Sequence, residues 1–453
     1  MATHAPRKGS TMTGTGSSHV STDRAREERK VLAGTLVGTT IEWYDFFIYA
    51  QAAALVLGQL FFAPMGEGGA QLAAWASLGI SFLVRPLGAV VAGHLGDRFG
   101  RKVVLVFTLV GMGGATAIIG LLPTYAQIGV AAPVLLIFLR LLQGFSAGGE
   151  WGGAALMSVE HAPLGKRGLF GAYPQIGVPI GMIVATLFMF GLSTFMTDEQ
   201  FLTWGWRIPF LFSIVLIGVG YWIRRQVEES PVFAEMARLR QKESAPLGEL
   251  FRHHRKNVIL AALIFAANNA AGYLVIAYFN GYGVNALGME RTQTLIASLL
   301  GGVGWLVFTL YGGYLSDKIG RVLTFQIGYG IIILWAIPMW FLLDTASLPL
   351  FTLAILVLTV GLGPSYGPQS ALYAEMFPAR VRYSGVSIGY ALGSIVGGAF
   401  APLIAELLLQ RTGQSWTIGV YIAVLGLISF VAVSMVPKSL QDSDLHQQEH
   451  ART

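Results

Sequence analysis

Long apolar runs, broken at intervals by glycine, proline and charge, fill the chain from about residue 31 to about residue 436. Runs of roughly 20 apolar residues are the length at which a helix crosses a bilayer. Reading for such runs and their breaks predicts twelve helical spans. Spans 1 to 6 lie near residues 31–60, 70–95, 102–122, 132–160, 167–194 and 205–225. Spans 7 to 12 lie near residues 255–285, 291–315, 321–343, 348–376, 382–410 and 416–436. Between the two sets, residues 226–254 hold Arg238, Arg240, Lys242 and Arg252 with several acids, too polar for a span, and form the predicted central linker. Residues 1–30, rich in Ser, Thr, Gly and charge, and residues 437–453 are predicted tails, the first disordered. The expected fold is an all-α polytopic membrane protein with one six-helix bundle over 31–225 and another over 255–436.

Composition removes the soluble alternative. Of 453 residues, 54% are hydrophobic and 12% charged, against roughly 25% charged in soluble proteins. Two or three soluble domains of this total length would need more polar surface than 24 acids and 30 bases supply. The net charge of +6 does not point to nucleic acid, because the basic residues lie at helix ends rather than in a basic domain. Arg207, Arg291 and Arg411 fall at proposed outer loops and Arg85 and Arg140 inside spans, so the other 25 of the 30 Lys and Arg lie on tails and inner loops. The positive-inside rule then puts both termini in the cytoplasm, on a plasma or inner membrane. With no cysteine, disulfides, thiolate nucleophiles and cysteine metal sites are excluded. The histidines show no metal-ligand spacing within a span, and no Gly-rich Lys-Ser/Thr loop for ATP is present. Neither metal, cofactor nor enzymatic activity is expected.

The chain also repeats itself. Gly93-His94-Leu95-Gly96-Asp97-Arg98-Phe99-Gly100-Arg101-Lys102 follows span 2, and Gly313-Tyr314-Leu315-Ser316-Asp317-Lys318-Ile319-Gly320-Arg321 follows span 8. Glu160, Pro163 and Arg167 after span 4 recur as Glu375, Pro378 and Arg382 after span 10, an offset of 215. Six spans separate the copies, so the halves enter the membrane in the same sense. This is the parallel repeat of a two-bundle transporter, with its site between the halves and alternating access by rocking. Asp97, Arg98, Arg101, Lys102, Glu160 and Arg167, with their counterparts Asp317, Lys318, Arg321, Glu375 and Arg382, are gating candidates. They can form ion pairs across the half interface; the alternative is that they are ordinary inside-positive anchors.

The Gly-x-Leu-Gly-Asp-Arg-x-Gly-Arg-Lys turn at 93–102, with Arg140-x-x-Gln143-Gly144 in span 4, resembles the major facilitator superfamily. Glu42-Trp43-Tyr44-Asp45-Phe46, Arg85-Pro86-Leu87-Gly88, Gly148-Gly149-Glu150-Trp151-Gly152 and Trp204-Gly205-Trp206-Arg207-Ile208-Pro209-Phe210 are similar to its metabolite:proton symporters. That family contains shikimate, α-ketoglutarate, citrate and proline/betaine carriers. The resemblance runs from about Val31 to Val436 and implies subfamily more than substrate.

Charge at bilayer depth is costly and marks function. Glu42, Asp45 and Tyr49 share one face of span 1, and Arg140, Gln143 and Glu150 share a stripe on span 4. Desolvation favours the neutral form of an acid and a nearby arginine the charged form, so an arginine moving between substrate and acid can load or release a proton. Glu42, Asp45, Arg140 and Glu150 are therefore the proton-coupling candidates, unless an acid pairs permanently with Arg140 to tie spans 1 and 4. Arg85 lies mid-span where snorkelling is difficult, and its planar fork suits a substrate carboxylate, as the resemblance also implies. Tyr49, Gln143, Gln175, Asn269 and Tyr273, with Tyr366 and Gln369, join Arg85 as substrate-binding candidates; Asn280 and Tyr373 share the faces of spans 7 and 10, and Trp305 in span 8 is a weaker one. Gly144-x3-Gly148-x3-Gly152, Gly177-x3-Gly181 and Gly389-x3-Gly393-x3-Gly397 are ridges for close helix packing inside a monomer.

The expected function is proton-coupled uptake of a small carboxylate-bearing metabolite, with substrate, protons and the bilayer as partners. Uptake of zwitterionic osmolytes is the alternative, although residues 437–453 lack an apolar heptad for a coiled coil. A ligand sensor that does not transport would need a signalling domain larger than the linker or tail.

Overall fold

A computed structural model describes residues 36–88, 90–91, 101–148, 150–160, 162–163, 165–228 and 247–437. Asp97 and Arg98, most of the expected linker and nearly all of the expected tails lie outside these residues. Within them every predicted span interval is helical, and no strand occurs among the described residues. Helices at Leu36–Phe61, Arg167–Phe195, Arg255–Ala286, Arg291–Ile319, Ser384–Thr412 and Trp416–Ser434 are long and apolar enough to cross a membrane. Asp198–Gly205 and Arg207–Trp222, bent by 43° at their junction, pass as a seventh. The remaining intervals are filled by shorter apolar helices such as Ala131–Ser146, Arg321–Trp335 and Leu348–Leu362.

The breaks have local causes. The Gly-Trp-Arg bend between the two parts of span 6 turns Arg207 back onto span 3, where its guanidinium donates to the carbonyls of Gly120 (3.0 Å) and Leu122 (2.6 Å). These are acceptors that the end of a helix leaves without intrahelical partners. Spans 1 and 7 each contain a wide π-helical turn, at Ala53–Leu57 and Leu274–Tyr278, positions that correspond in the two halves. Such turns concentrate at functional sites, and here these two segments touch each other across the half interface.

Small residues set the packing. A Cβ on Gly144 would overlap the Ser81 carbonyl oxygen, so spans 4 and 2 meet at backbone distance. The Gly389, Gly393 and Gly397 ridge of span 11 lies in the same way against Ala261, Ala262 and Ala266 of span 7. Gly177 and Gly181 of span 5 face Thr39 and Thr40 of span 1. All three ridges are thus used inside the chain. Spans 5 and 8 run along each other as the longest contact between the halves. Outside, large apolar side chains such as Phe195, Leu334 and Val130 face outward, 88%, 78% and 66% exposed, as a lipid-facing belt requires.

Candidate functional site

A small cavity lies where the two halves meet. The first half contributes Trp43 from span 1 and Val178 from span 5. The second contributes Phe265, Asn268, Asn269, Gly272, Tyr273 and Ile276 from span 7, then Trp305, Tyr366 and Tyr390 from spans 8, 10 and 11. Its aromatic wall is ordered by ring contacts: Phe265 stacks on Tyr390 (centroids 4.6 Å) and on Tyr366 (6.0 Å), and Tyr366 meets Trp305 (5.9 Å). Gly272 makes room for this wall, since a Cβ there would lie 2.9 Å from the Trp305 indole. Asn268 does not face a ligand with its amide, which donates to the Leu362 carbonyl (2.9 Å) and Ser365 Oγ (2.7 Å). Behind this wall Trp151 stacks on Tyr390 (3.7 Å) and its Nε1 donates to Gln175 Oε1 (3.0 Å), while Gln175 Nε2 donates to Gln369 Oε1 (3.1 Å) across the interface.

The two membrane-buried arginines have opposite surroundings. Arg140 is fully buried, and its guanidinium donates to the carbonyls of Ser77 (3.2 Å) and Leu78 (2.9 Å), to Ser81 Oγ (2.7 Å) and to Gln143 Oε1. It also stacks over the Tyr49 ring at 3.8 Å. Tyr49, bonded to Ser77 Oγ (2.6 Å), and Gln143, bonded to Thr116 Oγ1 (2.8 Å), thus hold Arg140 and do not line the cavity. Arg85 is 6% exposed and lies between the faces of Phe46 (4.1 Å) and Phe82 (4.2 Å), with Trp43 at 5.6 Å. Its Nε and Nη2 have no hydrogen-bond partner among the described residues. Phe82 in turn meets Tyr273 edge-on at 5.5 Å, so Arg85 stands one ring away from the cavity, at its Trp43–Tyr273 end.

Span 1 presents its acids elsewhere. Asp45 is buried and accepts from Ser213 Oγ of span 6 at 2.6 Å. With Glu42 it lines a separate crevice against Thr108, Met112 and Gly113 of span 3 and Gly220 of span 6. Among the described residues Asp45 makes no ion pair with Arg140, so the two are not tied together here. Glu150 opens the helix Glu150–Glu160, and its side chain lies outside the described set.

At the linker end the halves are latched. Asp317 of the second half accepts backbone N–H groups of Gly168 (2.7 Å) and Leu169 (2.9 Å), in the first turn of span 5. A carboxylate there meets both unpaired donors and the positive end of the helix. Arg321 bridges Asp317 (2.6 Å) and Glu375 (3.3 Å), and Arg382 reaches across to Glu160 (3.7 Å). Arg167, half-buried, opens the helix that receives Asp317, and Lys318 lies over the Tyr314 ring. Arg101 and Lys102 open the helix Arg101–Leu121. At the far end, Arg291 of the second half pairs with Asp198 of the first at 3.2 Å, and Gln410 donates to the Gly68 carbonyl (3.2 Å). Contacts between the halves are thus present at both ends.

Sequence reasoning missed much of the wall. Trp43 appeared only as part of a motif, and Phe265 and Tyr390 carried no signal that separates a ligand-facing ring from a packed one. Ser213 and the far-end pair Arg291–Asp198 were missed because their partners come from distant spans.

The major facilitator superfamily model matches residues 35–398. The inner membrane metabolite transport protein YhjE of Escherichia coli is 40% identical over 419 residues, 91% of this chain and 95% of that protein. The shikimate transporter of E. coli is 37% identical over 416 residues, with the same two shares of 91% and 95%. A Staphylococcus aureus protein provisionally described as a proline/betaine transporter is 33% identical, over 93% of this chain and 91% of that one. Among solved structures, the E. coli xylose transporter XylE in a partially occluded inward-open conformation superposes with a TM-score of 0.70 at 16% identity, over 91% of this chain and 98% of that one. The membrane-spanning bundles, the duplicated turn and these relatives agree: the chain belongs to the major facilitator superfamily, among its metabolite transporters, and is a multi-pass membrane transporter rather than an enzyme.

Proposed function

We propose that the protein is a proton-coupled symporter that imports a small carboxylate-bearing metabolite by alternating access. One observation carries this reading: a buried arginine whose Nε and Nη2 have no partner among the described residues stands one ring away from an aromatic cavity between the halves. A buried guanidinium without a partner is costly, and a carboxylate supplies the planar, bidentate acceptor that suits it. The shikimate transporter and metabolite transporter among the relatives support the same class.

In this reading substrate enters when the far-end contacts open, and it leaves when Asp317 and Arg382 release their partners at the linker end, which faces the cytoplasm. Protons are taken up by Asp45 and Glu42. Span 1 couples the two events, because Trp43 lies in the cavity wall while its neighbours Glu42 and Asp45 face the crevice on another side of the helix. The internal use of every glycine ridge favours a monomer in the inner membrane. Aromatic faces that can receive a quaternary ammonium favour a second reading, uptake of a zwitterionic osmolyte, which the S. aureus relative also supports.

Proteoliposomes test the coupling. An inward proton gradient drives accumulation of a carboxylate substrate, and a protonophore abolishes it; accumulation that follows a sodium gradient at constant pH contradicts the proposal.

A further inference from the structure

Building on the alternating-access reading, we infer that Trp151 and Gln175, which do not line the cavity, are positioning residues that hold its wall from the opposite half, so that the wall takes this form only while the linker end is closed. Most of the wall belongs to the second half, yet two of its tyrosines are held by the first. Trp151 of span 4 stacks on Tyr390 at 3.7 Å and 12°. Tyr390 stacks in turn on Phe265 (4.6 Å, 22°) and Phe265 on Tyr366 (6.0 Å, 12°), so Trp151 begins a run of near-parallel rings that crosses the interface. Gln175 of span 5 holds the other end of that run. It accepts from Trp151 Nε1 (3.0 Å) and donates to Gln369 Oε1 (3.1 Å) and to the Tyr366 carbonyl (3.3 Å). Tyr366 needs such a partner, because it sits in a turn over 363–368, between the helices Leu348–Leu362 and Gln369–Met376, where Pro364 and Pro368 have no N–H to continue the helix. Gly152, the last residue of the Gly-Gly-Glu-Trp-Gly motif, lets the halves meet here, since a Cβ on it would overlap Ser387 Oγ of span 11.

Register along the helices places this layer. Span 5 runs from Gly168 at the latch through Gln175 to Val178 of the cavity, and span 10 runs from Tyr366 of the cavity through Gln369 to Glu375 at the latch. Gln175 and Gln369, with Trp151 bonded to them, therefore lie between the cavity and the latch. Opening the linker end parts spans 4 and 5 from spans 10 and 11, which takes Trp151 off Tyr390 and Gln175 off Tyr366. The closed layer is shallow enough to open in every cycle: Gln369 Nε2 and Ser370 Oγ, both fully buried, have no partner among the described residues, and opening gives them water. A ligand that touches Tyr366 and Tyr390 is then bound more tightly with the linker end closed than open, and such a difference is what lets binding and opening affect each other.

The test needs no ligand. Val178→Cys puts a single thiol in the cavity wall of a chain without native cysteine, and its rate of reaction with a maleimide in the purified full chain reports access to the cavity. Gln175→Leu, which removes the bonds across the interface, should speed labelling about tenfold, and Trp151→Phe, which keeps a ring and loses only the N–H, about threefold. The two together should label no faster than Gln175→Leu alone, because the indole N–H bonds to Gln175 and has nothing more to lose. Trp151→Leu, which gives up the stack as well, should label about threefold faster than Trp151→Phe. A general loosening of the fold would instead make the Trp151→Phe and Gln175→Leu factors multiply, and that result overturns the inference. So do wild-type rates in both variants, or equal rates in Trp151→Phe and Trp151→Leu. Acceleration by Asp317→Asn with none by Gln175→Leu removes the inference and leaves alternating access standing. Unchanged rates in every variant, Arg291→Gln at the far end included, remove the alternating-access reading itself. Trp151→Phe and Gln175→Leu are mild changes in size, and their cycle decides even where Trp151→Leu does not fold.

Discussion

The two halves repeat one topology but bury different chemistry. The first holds the membrane-embedded charge: Glu42, Asp45, Arg85 and Arg140. The corresponding depth of the second holds neutral hydrogen bonders, Asn268, Asn269, Asn280 and Gln369, and a wall of tyrosines. A duplicated scaffold can thus divide labour, with ions and protons handled on one side and the rest of the ligand read on the other. Among the described residues the buried charges of the second half, Glu375 and Arg382, lie at the linker end, where with Asp317 and Arg321 it latches to the first.

The division breaks most visibly if the proton site is removed. Asp45→Asn should reduce accumulation against a gradient to the level of protein-free vesicles, while exchange of internal for external substrate persists. Full accumulation in that variant would move proton handling to another group.

The second prediction separates the arginines within the charged half. Arg140→Met leaves the Ser77 and Leu78 carbonyls and Ser81 without their buried donor, and breaking a buried charged network costs about 3–5 kcal/mol. Thermal unfolding should fall clearly below that of wild type, and a melt unchanged from wild type would show that Arg140 is not a structural tie.

The third concerns the latch. Asp317→Asn loses charge-assisted acceptance of two backbone N–H groups and should favour opening at the linker end by roughly tenfold. Because the chain has no native cysteine, Ser370→Cys, beside the interface at Gly171, provides a single labelling site. Its reaction with a maleimide should accelerate by that factor in the Asp317→Asn background; an unchanged rate would show that other contacts hold the end closed.

How much of this was legible beforehand follows from the range of each interaction. Span positions, the glycine ridges and the inter-half role of Asp317 and Arg382 rest on apolar length, small-residue spacing and a repeated motif, all local in the chain. What separates Arg85 from Arg140 is not local. Both are arginines in apolar helices, and only the carbonyls of Ser77 and Leu78, brought by span 2, show which one is satisfied. Tyr49 and Gln143 illustrate the same limit: spacing placed them on polar stripes, but tertiary packing turned them toward Arg140. Asp45 could be recognised as a buried acid, whereas its partner Ser213 is 168 residues away.

The central claim, that Arg85 anchors a substrate carboxylate, is tested most directly by calorimetric titration of Arg85→Lys with a bound monocarboxylate, at expression and thermal stability matched to wild type. Lysine keeps the charge but loses the planar fork. Loss of one charged hydrogen bond, roughly 1.5–3 kcal/mol, predicts an affinity about ten- to hundredfold weaker. Unchanged affinity would contradict the claim and assign Arg85 to helix packing against Phe46 and Phe82.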